Sequence, residues 1–312
     1  MDDICLGVDL GGTKTEAVVL RRTGDPSRMP DILARVRIPT CSDEGYERII
    51  CGTHELVLEV ARDAGLTKLP PIGVGMPGSV SLGTGEALVK NSNTTCLNGR
   101  PFRRDLQAAL GVPISFANDA NCFALAEATF GAAAGARVAF GVILGTGVGG
   151  GVVFKDQSGA PRVWNGAQGI AGEWGHVVLD PVSGPACYCG KRGCVETYLS
   201  GPALERAYAE KTGTSRALPD IVARTEDPAS GAVLDAMIEV FGRALSSVLD
   251  VLDPDVVILG GGVANIERLY TDGLEAVRRW VFSDTLETRI VKNALGDSAG
   301  VFGAALLADV SQ

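Results

Sequence analysis

Two short glycine turns in the sequence have the composition that a phosphate-binding site needs. They lie at 10–14 and 144–147, directly after apolar runs. Glycine leaves backbone N–H groups uncovered, and such groups bind phosphate oxygens together with nearby hydroxyl and ammonium groups. Taken together, the turns predict a clamp for a triphosphate. The residues that would form it are Gly11, Gly12, Thr13, Lys14, Gly145, Thr146 and Gly147.

The same glycines also match a dinucleotide-binding pattern, and that alternative fails on its context. Gly145, Gly147 and Gly150 satisfy G-x-G-x-x-G, but residues 151–154 continue as a β-branched strand, whereas the dinucleotide motif opens a helix. A second match at 73–78 runs into an irregular loop. Each turn by itself is most simply a tight hairpin, so the phosphate interpretation depends on taking the two turns together.

Asp119 is the side chain best placed to accept a proton. It follows an apolar strand predicted at 113–117 and begins a helix predicted at 120–130, so it should be held rigidly. A carboxylate in such a position can act as a general base toward a hydroxyl group. The residue type alone, however, favours a helix N-cap, which either Asn118 or Asp119 could provide.

One histidine and three cysteines form a strong metal-binding pattern. His176, Cys187, Cys189 and Cys194 supply an imidazole and three thiolates, a ligand set suited to tetrahedral zinc. Glycines within 187–194 let a short loop fold around a metal. Four protein ligands leave no open position for a substrate water, so the predicted zinc is structural and not a Lewis acid. Free thiols in an ordinary loop are the alternative.

The elements that must position these residues occur twice along the chain. Each half reads as a glycine-turned hairpin followed by helices and further strands, which predicts an α/β fold with two similar lobes around a cleft. The expected lobes are 1–118 and 119–312, with a zinc loop at 176–194 and a last helix at about 298–312 that packs back on the first lobe. The predicted strands are 4–9, 15–20, 33–38, 72–75, 114–117, 137–144, 151–154 and 255–259, and the predicted helices are 44–64, 102–110, 120–130, 202–210, 232–252 and one from about Asn265.

Charge and composition disfavour several classes of protein. The net charge is -9 over 312 residues and no long basic run occurs, which argues against nucleic acid or an anionic membrane as the main partner. The acidic start lacks the basic region of a secretory signal. The apolar stretch 138–154 is broken by glycines and reads as a buried hairpin rather than a membrane span. We therefore expect a cytoplasmic protein.

Six motifs occur in an order that resembles the ROK family, which contains sugar kinases and related repressors. The resemblance covers essentially the whole chain and implies an actin-like ATPase (ribonuclease H-like) fold, ATP and Mg²⁺ as cofactors, and a homodimer. The motifs are Asp-Leu-Gly-Gly-Thr-Lys at 9–14, Gly-Met-Pro-Gly at 75–78, Asn-Asp-Ala-Asn-Cys at 118–122, Leu-Gly-Thr-Gly at 144–147, Gly-Glu-Trp-Gly-His at 172–176 and Cys-Tyr-Cys-Gly-Lys-Arg-Gly-Cys at 187–194.

The resemblance also implies roles for individual residues. It assigns Asp119 as the catalytic base and so favours that role over the helix cap. Asp9 resembles the residue that holds Mg²⁺ directly or through water, and Gly260, Gly261 and Gly262 resemble the family's adenosine contact. The sugar-binding residues that it implies are Gly78, Asn118, Asp119, Glu173, His176 and Glu196.

The predicted activity is transfer of phosphate from ATP to the 6-hydroxyl of fructose, with mannose or glucose as further acceptors. Residues 90–102 and Trp174 resemble the bacterial fructokinases and mannokinases. The alternative is an N-acetylglucosamine kinase, because that subgroup shares every catalytic motif. A repressor would need a DNA-binding segment before the first strand at Ile4, and a non-catalytic sugar sensor would typically lack a base at Asp119.

Overall fold

Strands and helices alternate along the chain in the computed structural model, which describes residues 4–23, 28–81 and 87–308. The strands are β1 Ile4–Leu10, β2 Lys14–Arg21, β3 Asp31–Pro39, β4 Ile72–Met76, β5 Ser79–Ser81, β6 Leu88–Lys90, β7 Ile114–Asn118, β8 Val138–Leu144, β9 Val148–Lys155, β10 Pro161–Val163, β11 Val256–Gly260 and β12 Arg289–Lys292. The α-helices are α1 Tyr46–Asp63, α2 Phe102–Leu110, α3 Asp119–Phe130, α4 Glu196–Leu199, α5 Gly201–Thr212, α6 Leu218–Val222, α7 Pro228–Leu252, α8 Asp272–Trp280 and α9 Ala299–Leu307.

The first sheet has the strand order β3-β2-β1-β4-β7. Strands β1 and β2 form an antiparallel hairpin that closes where Leu10 lies opposite Thr15. Strands β1, β4 and β7 run parallel, so their carboxyl ends share one edge of the sheet. Asp9 and Asn118 lie at this edge, which is where parallel α/β sheets bind their ligands.

The second sheet repeats this topology, with the order β10-β9-β8-β11-β12. Its strands β8, β11 and β12 run parallel, as β1, β4 and β7 do. The glycine turn at 145–147 follows β8, and the glycines at 260–262 end and follow β11. The repeated strand order confirms the predicted duplication and the α/β fold class.

Helix α1 shows how the apolar spacing in the sequence becomes packing. Its buried residues include Ile49, Leu56, Val57 and Val60, which lie on one face and pack toward β2 and β3. Burying a side chain of this size contributes about 1.5–3 kcal/mol. The spacing therefore predicted both the helix and the face that it buries.

Helix α3 is buried along most of its length, and this matters because Asp119 is its first residue. Residues 120–128 are all buried, many of them alanines that permit close packing. Helix α9 packs against α3 and also against β1 and β4. The start of α3 is thus fixed by contacts on several sides.

The chain divides into two compact units. Unit 1 comprises Met1–Gly135, Gly151–Ala171 and Leu295–Gln312, and unit 2 comprises Ala136–Gly150 and Gly172–Ala294. The sequence-based boundary before Asp119 differs from this division, because α3 packs with α9 inside unit 1. Helix α9 covers most of the predicted last helix, whose residues 309–312 lie outside the described part of the chain.

One predicted helix start was wrong. The sequence placed a helix from about Asn265, but the chain first forms the short 3₁₀ segments Gly262–Asn265 and Glu267–Tyr270, and α8 begins at Asp272.

Among the helices of the described residues, none combines the length and the hydrophobicity that crossing a membrane would need.

Candidate active site

The first phosphate turn is held closed by its own backbone and by Thr40, the residue directly after β3. The N–H of Gly11 donates to the carbonyl of Lys14 over 2.9 Å. Thr40 donates its hydroxyl to the carbonyl of Gly11 over 2.7 Å and its N–H to the carbonyl of Thr13 over 3.0 Å. Gly12, Thr13 and Lys14 are exposed. The turn therefore presents its tip to solvent in a fixed shape.

Asp9 is a carboxylate whose pKa departs strongly from its ordinary value. Burial is the largest cause, the negative charges of Asp119 and Glu16 act in the same direction, and together they raise the pKa of Asp9 to about 7. Gly300 at the start of α9 makes room for it, since a Cβ there would lie 2.6 Å from Oδ2 of Asp9. A bound cation would relieve the charge that Asp9 and Asp119 concentrate here.

Asn118 provides the N-cap of α3. Its Oδ1 accepts from the N–H of Ala120 over 2.8 Å, and its Nδ2 donates to the carbonyl of Gly78 over 2.9 Å. The predicted sugar-binding residues Asn118 and Gly78 are thus joined directly. Because Asn118 serves as the cap, the capping function does not require Asp119.

Asp119 shares the same N–H group, since its Oδ1 lies 2.8 Å from the nitrogen of Ala120. Burial raises the pKa of Asp119, which outweighs the effect of its backbone hydrogen bonds. Desolvation disfavours the charged form of a carboxyl group and so makes its carboxylate a stronger base. The geometry of unit 1 is therefore compatible with proton transfer at Asp119.

The second phosphate turn, in unit 2, carries a carboxylate against its backbone. The N–H of Gly145 donates to the carbonyl of Gly147 over 2.9 Å, which closes the turn. The next N–H, that of Val148, donates to Oε2 of Glu196 over 2.9 Å. Glu196, which the sequence assigned to the sugar, thus also supports the turn assigned to phosphate.

The glycines after β11 lie beside the second phosphate turn. Gly261 has a φ of 85°, and a Cβ on it would lie 2.3 Å from the carbonyl oxygen of Leu144. Only glycine permits this approach with that backbone conformation. Residues 260–262 and 145–147, both predicted to bind ATP, are therefore neighbours within unit 2.

Glu173 and His176 lie at the two ends of a short 3₁₀ turn in unit 2, which packs beside β9. Trp174 is 4% exposed, donates from Nε1 to the carbonyl of Gly149 over 3.0 Å, and packs edge to face on Phe140. Trp174 therefore anchors this turn in the core. Because Trp174 is a core residue, its resemblance to the fructokinase motif does not by itself identify the sugar.

The four predicted zinc ligands come together. The ligand atoms of His176, Cys187, Cys189 and Cys194 all lie within 4.8 Å of one another. Sγ of Cys189 is 3.6 Å from Sγ of Cys194, and Sγ of Cys187 is 3.7 Å from Nδ1 of His176. Zn–S bonds of about 2.3 Å in a tetrahedron place ligand atoms at nearly these separations. The donor set fits a structural metal ion.

Two contacts at the candidate site escaped the sequence analysis. Thr40 closes the first phosphate turn, although nothing in the local pattern around it marks it. Tyr188 has its hydroxyl 3.1 Å from Nε2 of His176 and lies close enough to Glu173 and Glu196 for their charges to act on it. Partial burial first, and then the negative charges of Glu196, Cys187 and Glu173, raise the pKa of Tyr188 to about 12. The position of Tyr188 between the predicted metal ligands Cys187 and Cys189 was the sequence signal that could have identified it.

The site residues fall into two groups. Unit 1 holds Asp9, Gly11, Gly12, Thr13, Lys14, Gly78, Asn118 and Asp119, and unit 2 holds Gly145, Thr146, Gly147, Glu173, His176, Cys187, Cys189, Cys194, Glu196, Gly260, Gly261 and Gly262.

Comparison with known proteins places these features in context. The sequence profile described as "ROK family" matches residues 5–310. Similar curated proteins include the N-acetyl-D-glucosamine kinases of Photobacterium profundum, 34% identical over 96% of this chain and 98% of theirs, and of Vibrio cholerae, 33% identical over the same shares. Among solved structures, a ROK hexokinase from Thermus thermophilus is 35% identical, with a TM-score of 0.83 over 97% of both chains. A ROK family glucokinase from Streptomyces griseus, in complex with glucose and AMPPNP, is 28% identical, with a TM-score of 0.78 over 97% of this chain and 98% of that one.

Proposed function

The chain belongs to the ROK family, and we propose that it is an ATP-dependent sugar kinase that phosphorylates N-acetyl-D-glucosamine. The observation that carries the kinase proposal is Asp119, a partly buried carboxylate with a raised pKa at the start of a fixed helix. The cap of that helix comes from Asn118. A base in this setting suits a reaction that removes a proton from a sugar hydroxyl.

In the proposed reaction, Asp119 accepts the proton of the attacking sugar hydroxyl as the new P–O bond forms and the bond to ADP breaks. The exposed Lys14 ammonium and Thr13 hydroxyl interact with phosphate oxygens at the first turn. Asp9 is the residue that would hold Mg²⁺, directly or through water, and the cation would neutralise phosphate charge.

The choice of sugar rests on relatives. The N-acetyl-D-glucosamine kinases align over nearly their whole length, at 33–34% identity. They favour the alternative acceptor over fructose, and the likeness to fructokinases at 90–102 and Trp174 carries less weight because Trp174 is a core residue. Glucose is a second candidate, because the Streptomyces griseus glucokinase was crystallised with glucose and AMPPNP.

We further propose that His176, Cys187, Cys189 and Cys194 hold a structural zinc ion, which the proximity of their ligand atoms supports. The zinc would order the loop between Glu173 and Glu196 and so hold these carboxylates for the sugar hydroxyls. Such paired polar contacts are how hydroxyl-rich ligands are distinguished. The homodimer and the cytoplasmic location stay predictions.

Rates of ADP release with a panel of sugars test the proposed function. We expect the highest kcat/KM with N-acetylglucosamine, compared with N-acetylmannosamine, glucose, mannose and fructose under the same MgATP concentration. A preference for fructose would restore the original expectation. No turnover with any of the five sugars would contradict the kinase proposal.

A further inference from the structure

Unit 1 contains a cavity of about 530 Å³ to which the proposed reaction gives no role. Its walls come from the segment that follows β2, from β7 and α3, from the β9–β10 hairpin and from the end of α9. None of the predicted ATP-, sugar- or metal-binding residues is among the described residues that line it. Pockets that bind small molecules measure roughly 300–1,000 Å³. The cavity is therefore large enough for a ligand of its own.

The inner wall of this cavity is apolar. Phe116 on β7, Leu125 and Ala128 on α3, and Leu307 on α9 line it and are buried. Thr129 also lines it, but its hydroxyl donates to the carbonyl of Leu125 over 2.6 Å. A sugar phosphate would leave many of its hydroxyl groups unpaired against such a wall, which costs free energy. The wall therefore favours a ligand with an apolar body.

The charged residues of the cavity are all basic, and among the described residues that line it none is acidic. This excess is unexpected in a chain whose 37 acidic residues outnumber its 28 basic ones. Guanidinium and ammonium groups pair strongly with carboxylates and phosphates. The charge therefore favours an anionic group on the ligand. The basic residues are Arg22, Arg28, Lys155 and Arg162.

The β9–β10 hairpin holds two of these cations in place. Nζ of Lys155 donates to the carbonyl of Gly135 over 3.0 Å. Nε of Arg162 donates to Oδ2 of Asp156 over 2.8 Å, and Oδ1 of Asp156 accepts from the N–H of Ser158 over 2.8 Å. Asp156 offsets part of the charge of Arg162, whereas the carbonyl that Lys155 contacts is neutral. The charge of Lys155 is thus held at a fixed position beside the apolar wall.

We propose that this cavity binds a small amphiphilic anion, in which an apolar chain or ring carries one carboxylate or phosphate group. The apolar body packs on Phe116, Leu125 and Leu307, and the anionic group pairs with Lys155 and Arg28. The site goes beyond the proposed kinase activity and does not depend on it.

Equilibrium dialysis of the full chain with radiolabelled octanoate tests the site, with other compounds as competitors. We expect saturable binding of one octanoate per chain. The neutral 1-octanol should bind about tenfold more weakly, because it lacks the charge. Acetate and inorganic phosphate should bind about 100-fold more weakly, because they lack the apolar chain. Octyl phosphate should also displace octanoate, and the ratio of the two affinities identifies the preferred head group.

Two double variants locate the bound anion. Arg28→Gln with Lys155→Gln removes two charges from the cavity, and Arg62→Gln with Lys68→Gln removes the same charge elsewhere in unit 1. The first should weaken octanoate binding about tenfold and leave 1-octanol binding unchanged. The second should stay within about twofold of the wild type for both compounds.

A second pair of variants removes no native contact of a basic side chain. Ala134 is exposed and lines the cavity, so Ala134→Glu and Ala134→Gln add side chains of nearly equal size there. Ala134→Glu should bind octanoate about fivefold more weakly than Ala134→Gln, because only the carboxylate repels the anion. The two variants should bind 1-octanol equally.

Absence of saturable octanoate binding, or equal affinities for octanoate and 1-octanol, would overturn the inference. Equal effects of the two double variants, or equal octanoate binding by the two Ala134 variants, would also overturn it. Complete displacement of octanoate by MgATP would place the anion at the phosphate turns instead. Wild-type protein that binds octanoate as expected but phosphorylates no sugar would count against the kinase proposal alone.

Discussion

Glu196 accepts a hydrogen bond from the backbone N–H of Val148, with 2.9 Å between Oε2 and nitrogen. Val148 directly follows the turn 145–147, which is predicted to bind phosphate. Glu196 is the first residue of α4 and lies two residues after the predicted metal ligand Cys194. One carboxylate therefore links the metal loop to the phosphate turn within unit 2. A change at Glu196 should affect both substrates, which the sequence-based role in sugar binding alone would not predict.

Two substitutions separate these roles. Glu196→Gln keeps an oxygen that accepts from Val148 and removes the charge, so we expect the KM for the sugar to rise about tenfold while the KM for ATP stays near that of the wild type. Glu196→Ala also removes the acceptor and should raise the KM for ATP about fivefold, since one such hydrogen bond contributes about 1 kcal/mol. Steady-state kinetics with each substrate varied measures both.

The matched control is Glu205→Ala, because Oε1 of Glu205 accepts from the N–H of Leu218 over 2.8 Å elsewhere in unit 2. It should leave both KM values unchanged. Equal effects of Glu196→Gln and Glu196→Ala on ATP would contradict the role assigned to the hydrogen bond.

Asp119→Asn should lower kcat by about 10² to 10⁴-fold, the usual contribution of a general base. Asparagine keeps an oxygen that can accept from Ala120, so α3 should start as before. Nucleotide affinity, measured by calorimetry with ADP, should therefore stay within about twofold of the wild type. Asp105→Asn is the control, since Asp105 accepts from Tyr46 in unit 1 and has no assigned role in the reaction. A kcat near that of the wild type in Asp119→Asn would remove this residue from the role of base.

The pH dependence of kcat/KM provides a second test of Asp119. Burial raises the pKa of Asp119, and the base functions only when ionised. We therefore expect kcat/KM to fall as the pH is lowered, beginning at a higher pH than an ordinary aspartate with a pKa of 3.8 would give. Asp9 and Asp119 interact, so the acid limb belongs to the pair. The residual rate of Asp119→Asn should lack the part of this limb that comes from the base.

The local patterns of the sequence predicted much of this arrangement. The β1–β2 hairpin, the buried face of α1 and the clustering of the four potential metal ligands all follow from spacing within short segments. Alternation, helical periodicity and close ligand spacing are each properties of neighbouring residues, so they can be read without tertiary contacts.

The contacts that the sequence did not reveal join distant segments. Thr40 lies 29 residues from Gly11, and its hydrogen bond to that residue depends on the pairing of β2 with β3. The late start of α8 was also missed, because the chain first passes through the 3₁₀ segments Gly262–Asn265 and Glu267–Tyr270. The motifs alone also left the sugar open, since N-acetylglucosamine kinases and fructokinases share them.

Asp9→Asn should stabilise the protein in the absence of Mg²⁺, and more so at pH 8 than at pH 4.5. The pKa of Asp9 is about 7 in the folded chain against 3.8 for an ordinary aspartate, so the folded state holds the proton more tightly. The contribution of Asp9 to the free energy of unfolding is therefore most favourable below pH 3.8. It falls as the pH rises toward 7 and is constant above pH 7. Partial exposure reduces the effect, and we expect about 1–2 kcal/mol at pH 8. Urea unfolding of both proteins at the two pH values measures the difference, and equal gains at both would show that Asp9 titrates normally.

Zinc content is the most direct test of the metal loop. We expect purified wild-type protein to hold about one zinc per chain, because one His and three Cys complete a tetrahedral site. Cys194→Ser should lose most of this zinc, since Cys194 is a buried member of the cluster, whereas Cys51→Ser should keep it because Cys51 is exposed on α1. Elemental analysis of protein prepared without chelator measures both.

The loss of zinc should act on stability and sugar binding rather than on the chemical step. Metal binding contributes folding free energy directly, so Cys194→Ser should unfold at a lower temperature and show faster hydrogen exchange at 176–194 than Cys51→Ser. Replacing zinc with cadmium should retain kcat, because a site closed by four protein ligands gives no position for a reacting water. Wild-type protein with no zinc and an ordered 176–194 loop would contradict the zinc site, and a large drop in kcat with cadmium at unchanged stability would contradict its structural role.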